Sequence, residues 1–340
     1  MTWLTWRQFR LQAATGTVAA AAIAIVAAVT GPKLADLAAS NSSVFDALTK
    51  TDRTLFFSGI IILAVAPALI GAFWGAPIVA RELETGTYRL AWGQSVTRTR
   101  WLASKLAITT LAAALAVGVM SLAVTWWSSA IDGAVSTTRG SLPDRITPVT
   151  FAMRGIAPIG YTVFAIALGA LVGAVLRRTV PAMAVTMAIY IAVQIAMPLM
   201  VRPHLLAPVT TTVAFDRETL EGITLRNDDS IFVTLHLPDR GNWVLVNETL
   251  GPGGEPAPLP QWFEDCLPPP DGGLPGVARA NAVGKDTCLT ELTDAGYRQR
   301  VVYQPASRFW PLQWVETGVY LAMSSILAAL CLWWVRRRLT

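Results

Sequence analysis

Glu82 and Glu84 stand one residue apart in RELETGTYRLAW (81–92), and Gly86, Thr87, Tyr88, Arg89 and Trp92 follow directly. Two carboxylates, two guanidinium groups and two aromatic rings in twelve residues contain no nucleophile paired with a base and no metal-ligand set. What they offer is docking chemistry: charges that orient a partner and aromatic anchors that hold it. Thr85 or Thr87 can cap a short helix with 88–92 as its body and Gly93 as its stop. Such a helix exposes Tyr88, Leu90 and Trp92. Two readings fit these residues, docking to a cytoplasmic partner or a loop resting on anionic lipid through its arginines.

Elsewhere the chemistry-bearing residues are sparse. The chain has two histidines, His204 and His236, too far apart in sequence to assemble a metal cluster or a Ser-His-Asp grouping. No G-x-x-x-x-G-K-[ST] phosphate loop is present; VGKDT (283–287) lacks the upstream glycine, and no Gly-rich dinucleotide turn follows a strand. The chain is therefore expected to hold no catalytic residue, metal or cofactor, and not to be an enzyme by itself. Of its three cysteines, Cys266 and Cys288 lie in one hydrophilic region and Cys331 in an apolar run. A disulfide between Cys266 and Cys288 is expected, because that region falls on the oxidising side of a membrane.

The elements that position these residues are apolar. Hydrophobic residues make up 53% of the 340, only 14% are charged and mean hydropathy is +0.48, where soluble domains carry about 25% charged residues. Six runs are long enough to cross a bilayer: 11–29, 55–80, 103–127, 156–176, 180–201 and 312–335. Arg7 and Arg10 before an Ala-rich run also fit a signal peptide, but the run is longer than such segments use. With both termini inside, the inner segments hold twelve of the 27 Lys and Arg and only Glu82 and Glu84 of the 22 acids. That asymmetry sets the orientation. It also explains the net charge of +5 without nucleic acid. Trp126, Trp127, Trp310 and Trp314 mark the outer interface, and Trp3, Trp6, Trp101, Trp333 and Trp334 the inner one.

The fold class expected is mainly α: a polytopic membrane protein with six helices, both termini cytoplasmic and a small β-rich extracytoplasmic domain between the fifth and sixth. Residues 1–10 read as an amphipathic inner-surface helix, 11–201 as five spans with an inner loop at 81–105, and 202–309 as the outer domain. Residues 312–335 read as the sixth span and 336–340 as a basic cytoplasmic tail. In the outer domain, 209–215, 231–237, 243–249 and 298–304 are strand-like, and 251–276 is rich in Pro and Gly.

Within the spans, three features invite a role. Met183, Met187, Tyr190, Gln194 and Met197 recur at spacings of four and three and form one stripe, which suits either a packing seam or an adaptable apolar path. Ala165, Gly169 and Gly173 suit close helix packing. Glu316 is the lone acid inside a span, near the outer interface, where it can pair with Arg308 or another outer arginine or serve an outer gate.

The inner loop resembles the segment joining the second and third helices of ABC exporter permeases, the class with six spans per subunit and the type V fold. The pattern is E-x-E-x-G-T, a short helix, S-x-x-R and a later Lys, met here by Glu82, Glu84, Gly86, Thr87, Ser95, Arg98 and Lys105. Where family members often carry a proline, this sequence has Gln94-Ser95. YQPASRFWPLQWVE (303–316) resembles actinobacterial members of the group. The resemblance implies a permease moving an amphipathic or hydrophobic small molecule, an antibiotic or other natural product, out of the cell by alternating access. It implies that 81–93 contains the coupling helix, with Tyr88, Arg89 and Trp92 at the contact, and that two ABC ATPase subunits supply ATP and Mg. A second permease copy, surrounding lipid and a bacterial plasma membrane follow from the same resemblance. It places the second and fifth helices on the substrate path, with Phe56, Phe57 and Trp74 joining the methionine stripe. Lipid or cell-wall precursor export is a close variant. A membrane-anchored receptor whose 202–309 domain binds an external ligand is the rival reading, and a secondary transporter a third.

Overall fold

The computed structural model describes residues 2–40, 49–86, 97–135, 144–215, 220–225, 231–235, 241–260, 262–263, 277–279 and 286–338. Six helices among them are long and apolar enough to cross a membrane: Arg10–Leu37, Lys50–Thr85, Arg98–Ala130, Ala157–Leu176, Thr179–Leu205 and Ala306–Arg338. The protein is a polytopic membrane protein. The chain forms two compact units, residues 1–206 with 309–340, and residues 207–308.

In the membrane unit residues 2–10 and the first span belong to one helix, Thr2–Ser40, instead of a surface helix followed by a span. An Ala-rich sequence with few helix breakers sustains it, with Pro32 carried inside. The second helix starts at a reciprocal capping box: the Thr49 hydroxyl accepts from the Asp52 N–H, and the Asp52 carboxylate accepts from the Thr49 N–H at 3.1 Å. It changes pitch at a π-turn, Gly71–Gly75, and resumes as Pro77–Thr85. Pro77 has no N–H to give the carbonyl four residues back, that of Phe73. Gln12 of the first helix donates to that oxygen at 3.3 Å. In a bilayer an unpaired carbonyl has no water to turn to, so the repair must come from a neighbouring helix.

The fourth span, Ala157–Leu176, is the centre of the unit, with 67% of its apolar window buried against 11% for the first span and 17% for the fifth. Its small residues explain how. A Cβ on Gly169 would lie 2.5 Å from the Gly71 carbonyl oxygen and 2.6 Å from the Ala76 nitrogen, and one on Gly173 would meet the Ala76 carbonyl oxygen. Ala165 in turn sits where a Cβ on Gly71 would be. The glycine stripe of the fourth helix thus receives the π-turn of the second, backbone against backbone.

Trp127 and Trp101 are buried (6% and 4% exposed), so both rings pack against other helices instead of facing lipid. The Trp127 indole N–H donates to Thr30 at 2.8 Å, and Trp126 covers Gly31, both tying the third helix to the first. Trp314 and Trp310 keep exposed faces, as an aromatic belt requires.

The second unit holds a three-stranded antiparallel sheet of β1 (Val209–Ala214), β6 (Arg298–Gln304) and β4 (Trp243–Leu250), with β6 central. Val301 and Tyr303 alternate onto one face and pack with Phe215, Phe263 and a helix, Asp286–Asp294, through its Leu289 and Leu292. β2 (Leu220–Leu225) pairs with β3 (Ile231–Leu235) and β5 (Val277–Arg279) in a second sheet. The strand-rich stretches of the sequence correspond to β1, β3, β4 and β6; β2, β5 and the helix carry no comparable β-branched run.

Candidate functional site

Of the residues expected to couple to a partner, Thr87, Tyr88, Arg89 and Trp92 lie outside the described residues, as does the rest of the expected 88–92 helix. Glu82, Glu84, Gly86 and Arg98 are described. Glu82 and Glu84 sit on the helix Pro77–Thr85, which Gly86 ends in the left-handed conformation at φ 73°. The Thr85 hydroxyl donates back to the Arg81 carbonyl at 2.9 Å. Arg98 opens the third helix.

Both acids are engaged within the chain. Glu82 forms an ion pair with Lys105 of the third helix, whose ammonium also lies 4.9 Å from the Trp101 ring centre. Glu84 reaches the fifth helix: its Oε2 accepts from the Thr179 N–H at 2.9 Å and from the Thr179 hydroxyl at 2.6 Å. The reason lies in the turn between the fourth and fifth helices. Arg177 takes a left-handed conformation, φ 57°, closing the fourth helix, and Arg178 begins the fifth in an extended conformation without capping it. The exposed N–H groups of a helix start favour an anion, and the carboxylate of Glu84 provides it.

At the other end of the fourth to sixth helices lies a buried polar cluster. Glu316 is wholly buried and pairs with Arg202, which is 1% exposed, through Nε–Oε2 at 2.6 Å and Nη2–Oε1 at 2.9 Å. The Tyr161 hydroxyl donates to Glu316 Oε1 at 2.5 Å. Arg202 also donates to the Pro148 carbonyl at 3.1 Å and lies over the Phe151 ring, 4.3 Å from its centre. The expected partner of Glu316, Arg308 or another outer arginine, is Arg202. Arg308 donates to the Ala207 carbonyl and to Gln304, and the guanidinium opposite Glu316 is that of Arg202. A buried carboxylate needs a desolvated cation with a full set of acceptors, which Arg202 at the end of the fifth helix supplies.

Gln313, one turn before Glu316, completes this end. Its Oε1 accepts from the N–H groups of Ile156 and Ala157 at 3.1 and 2.8 Å, and its Nε2 donates to the Phe151 carbonyl at 2.9 Å. Neither the fourth nor the fifth helix caps its own start; each borrows a side chain from another helix. Beside it, Arg154 is 1% exposed, bonded to Asp132 at 2.6 Å and stacked 5.1 Å from the Phe56 ring centre.

The proposed path residues divide. Phe56 is 3% exposed and packs among the first to third helices with Ala27, Leu34, Ile60 and Trp127, whereas Phe57 is 45% exposed. Trp74 packs over Gly16 of the first helix. Tyr190 and Met197 are buried with the fourth and sixth helices, and Met183 packs against the same cluster. Met187 is half-buried on that face. Gln194 donates to the Tyr190 hydroxyl at 2.9 Å and accepts from that of Tyr320 at 2.6 Å. Within one chain the stripe is a seam between helices. In the other unit Cys288 is disulfide-bonded, while Cys266 lies outside the described residues. Among the described residues no group of three or more His, Cys, Asp or Glu could hold a metal ion.

A protein family described as ABC-2 membrane transporter related matches residues 8–202, more than half of the chain. The match spans the first five membrane helices, the inner loop and Arg202. The chain belongs to this family. As an ABC-2 family member it is a transmembrane subunit of an ABC transporter, the membrane component and not the catalytic one. No curated protein and no solved structure matches the chain.

Sequence reasoning missed Arg202, Gln313 and Thr179. A signal existed for Arg202 and for Thr179. A lone intramembrane acid demands a cation at its own depth, and Arg202 directly follows the fifth apolar run. Arg178 is a poor capping residue, so the fifth helix needed an outside cap.

Proposed function

We propose that this ABC-2 family permease exports an amphipathic or hydrophobic small molecule by alternating access, driven by a separate ATPase that seats on the 81–93 segment. The observation that carries the reading is the family match across the inner loop together with the bonds that leave it. The helix Pro77–Thr85 delivers the chain into that loop while it is tied to the third helix through Glu82 and to the fifth through Glu84. Force applied at the loop therefore reaches two membrane helices directly. ATP and Mg act on the partner, two ATPase subunits serve two permease copies, and the complex resides in a bacterial plasma membrane. Glu316, with Arg202 and Tyr161, closes the outer end of the fourth to sixth helices and acts as the outer gate. Phe57 and the open edge of the fifth helix meet the substrate, an antibiotic-like natural product.

The test is co-purification with a co-expressed ABC ATPase subunit, followed by ATP hydrolysis and vesicle accumulation in reconstituted lipid. ATP-dependent accumulation in inside-out vesicles, abolished by scrambling 82–92, is the expected result. Full accumulation with a scrambled segment overturns the coupling role, and failure to retain any ATPase overturns the exporter reading.

A further inference from the structure

The two acids of the inner loop divide their work. Residues on an α-helix advance by about 100° each, so Glu82 and Glu84, two positions apart, face nearly opposite sides of Pro77–Thr85. One side meets Lys105 of the third helix and the other meets Thr179 of the fifth. We propose that Glu84 and Thr179 form the link through which the inner loop moves the fifth membrane helix. The inference rests on the reading of 81–93 as the segment the ATPase engages, and it assigns Glu84 to an internal contact instead of the ATPase surface.

Four features make the contact a transmitter. It joins the last turn of one helix to the first turn of the other, so displacement of either end acts along the second helix without slack. It uses two donors on one carboxylate oxygen, the Thr179 N–H and hydroxyl, and charge-assisted bonds of this kind are short and directional. It fills a cap that the fifth helix lacks, since Arg178 makes no capping bond. Finally, Pro77–Thr85 is separated from the rest of the second helix by the π-turn Gly71–Gly75, a natural place for a change of direction. Ala76 and Ala80 rest against Gly173, so the short helix also packs on the fourth. Beyond its own π-turn, Met197–Val201, the fifth span ends in Arg202, the partner of Glu316. Thr179 and Glu84 are positioning residues, acting through the helix they hold.

The experiment has two arms. In the first, hydrogen exchange is followed on the purified full chain in nanodiscs, in peptides covering 178–186. Glu84→Ala is expected to speed exchange at the Thr179 amide about fivefold, the usual scale for loss of a helix cap. Unchanged exchange overturns the link. In the second arm, Ala184→Cys on the exposed side of the fifth helix is labelled with a maleimide in the complex with its ATPase, with and without ATP and vanadate. An ATP-dependent change in labelling is expected in the otherwise unaltered chain and with Thr179→Ser, which keeps both donors. It is expected to fall several-fold with Thr179→Val, while the amount of ATPase retained stays the same. A full response with Thr179→Val overturns the link alone. A chain that retains no ATPase overturns the functional reading beneath it.

Discussion

Arg202 and Glu316 face each other through two hydrogen bonds, 2.6 and 2.9 Å, with both side chains sealed from solvent. One residue ends the fifth membrane helix and the other lies two turns into the sixth, 114 positions later. Tyr161 adds a third helix to the same carboxylate.

Removing one member of this pair strands the other. Arg202→Leu is expected to destabilise the membrane unit by about 3–5 kcal/mol, read as a lower thermal midpoint in detergent. Arg202→Leu with Glu316→Leu should regain most of that loss, because no charge is left buried. Glu316→Gln, which keeps the shape and removes the charge, tests the gate: normal assembly and normal transport together would exclude both a structural and a gating role.

The glycine seam gives a second, sterically simple prediction. Gly169→Ala places a Cβ against the backbone of Gly71 and Ala76, which cannot rotate away, and overpacking of this kind costs about 1–3 kcal/mol. Gly318→Ala, in the sixth helix, meets nothing within 4 Å and should be neutral or stabilising. Comparing the two by thermal unfolding separates packing from helix propensity. Equal behaviour would mean the seam is looser than these distances.

The six membrane helices were legible because hydropathy over twenty residues is a strong signal, and the inner loop was legible because charge interrupts it. Their ends were less so. The first helix runs to Ser40 although its apolar run stops near 29, since Ala, Leu and Lys continue a helix in water as well as in lipid. The site was half legible. Glu82, Glu84 and Glu316 stood out by charge alone, but each partner lies 23, 95 or 114 residues away. No spacing rule connects such positions. The methionine stripe showed its periodicity plainly and its occupant not at all: a 3.6-residue repeat says that a face is used, and only packing says by what.

The third prediction concerns the second unit, residues 207–308. Cys288 lies in the helix that carries Leu289 and Leu292 into the core, and its proposed partner is Cys266. Peptide mapping without reductant should recover a linked pair containing both residues. Cys266→Ser should lower the stability of this unit by about 2–4 kcal/mol, read as a lower unfolding midpoint, with the membrane unit unaffected. Recovery of either residue only as a free thiol would refute the pairing.

The repair of the Phe73 carbonyl by Gln12 has a consequence for biosynthesis. The first helix buries little of itself and holds to its neighbours through Gln12, Gly31 and Thr30, whose partners are Phe73, Trp126 and Trp127. A nascent chain delivers those partners in order, with the last emerging some hundred residues after Gln12 leaves the ribosome. The first helix can therefore meet Phe73 and Trp74 once the second is inserted, and completes its contacts only when the third follows. Insertion order, and not only final stability, is written into where these three contacts fall along the chain.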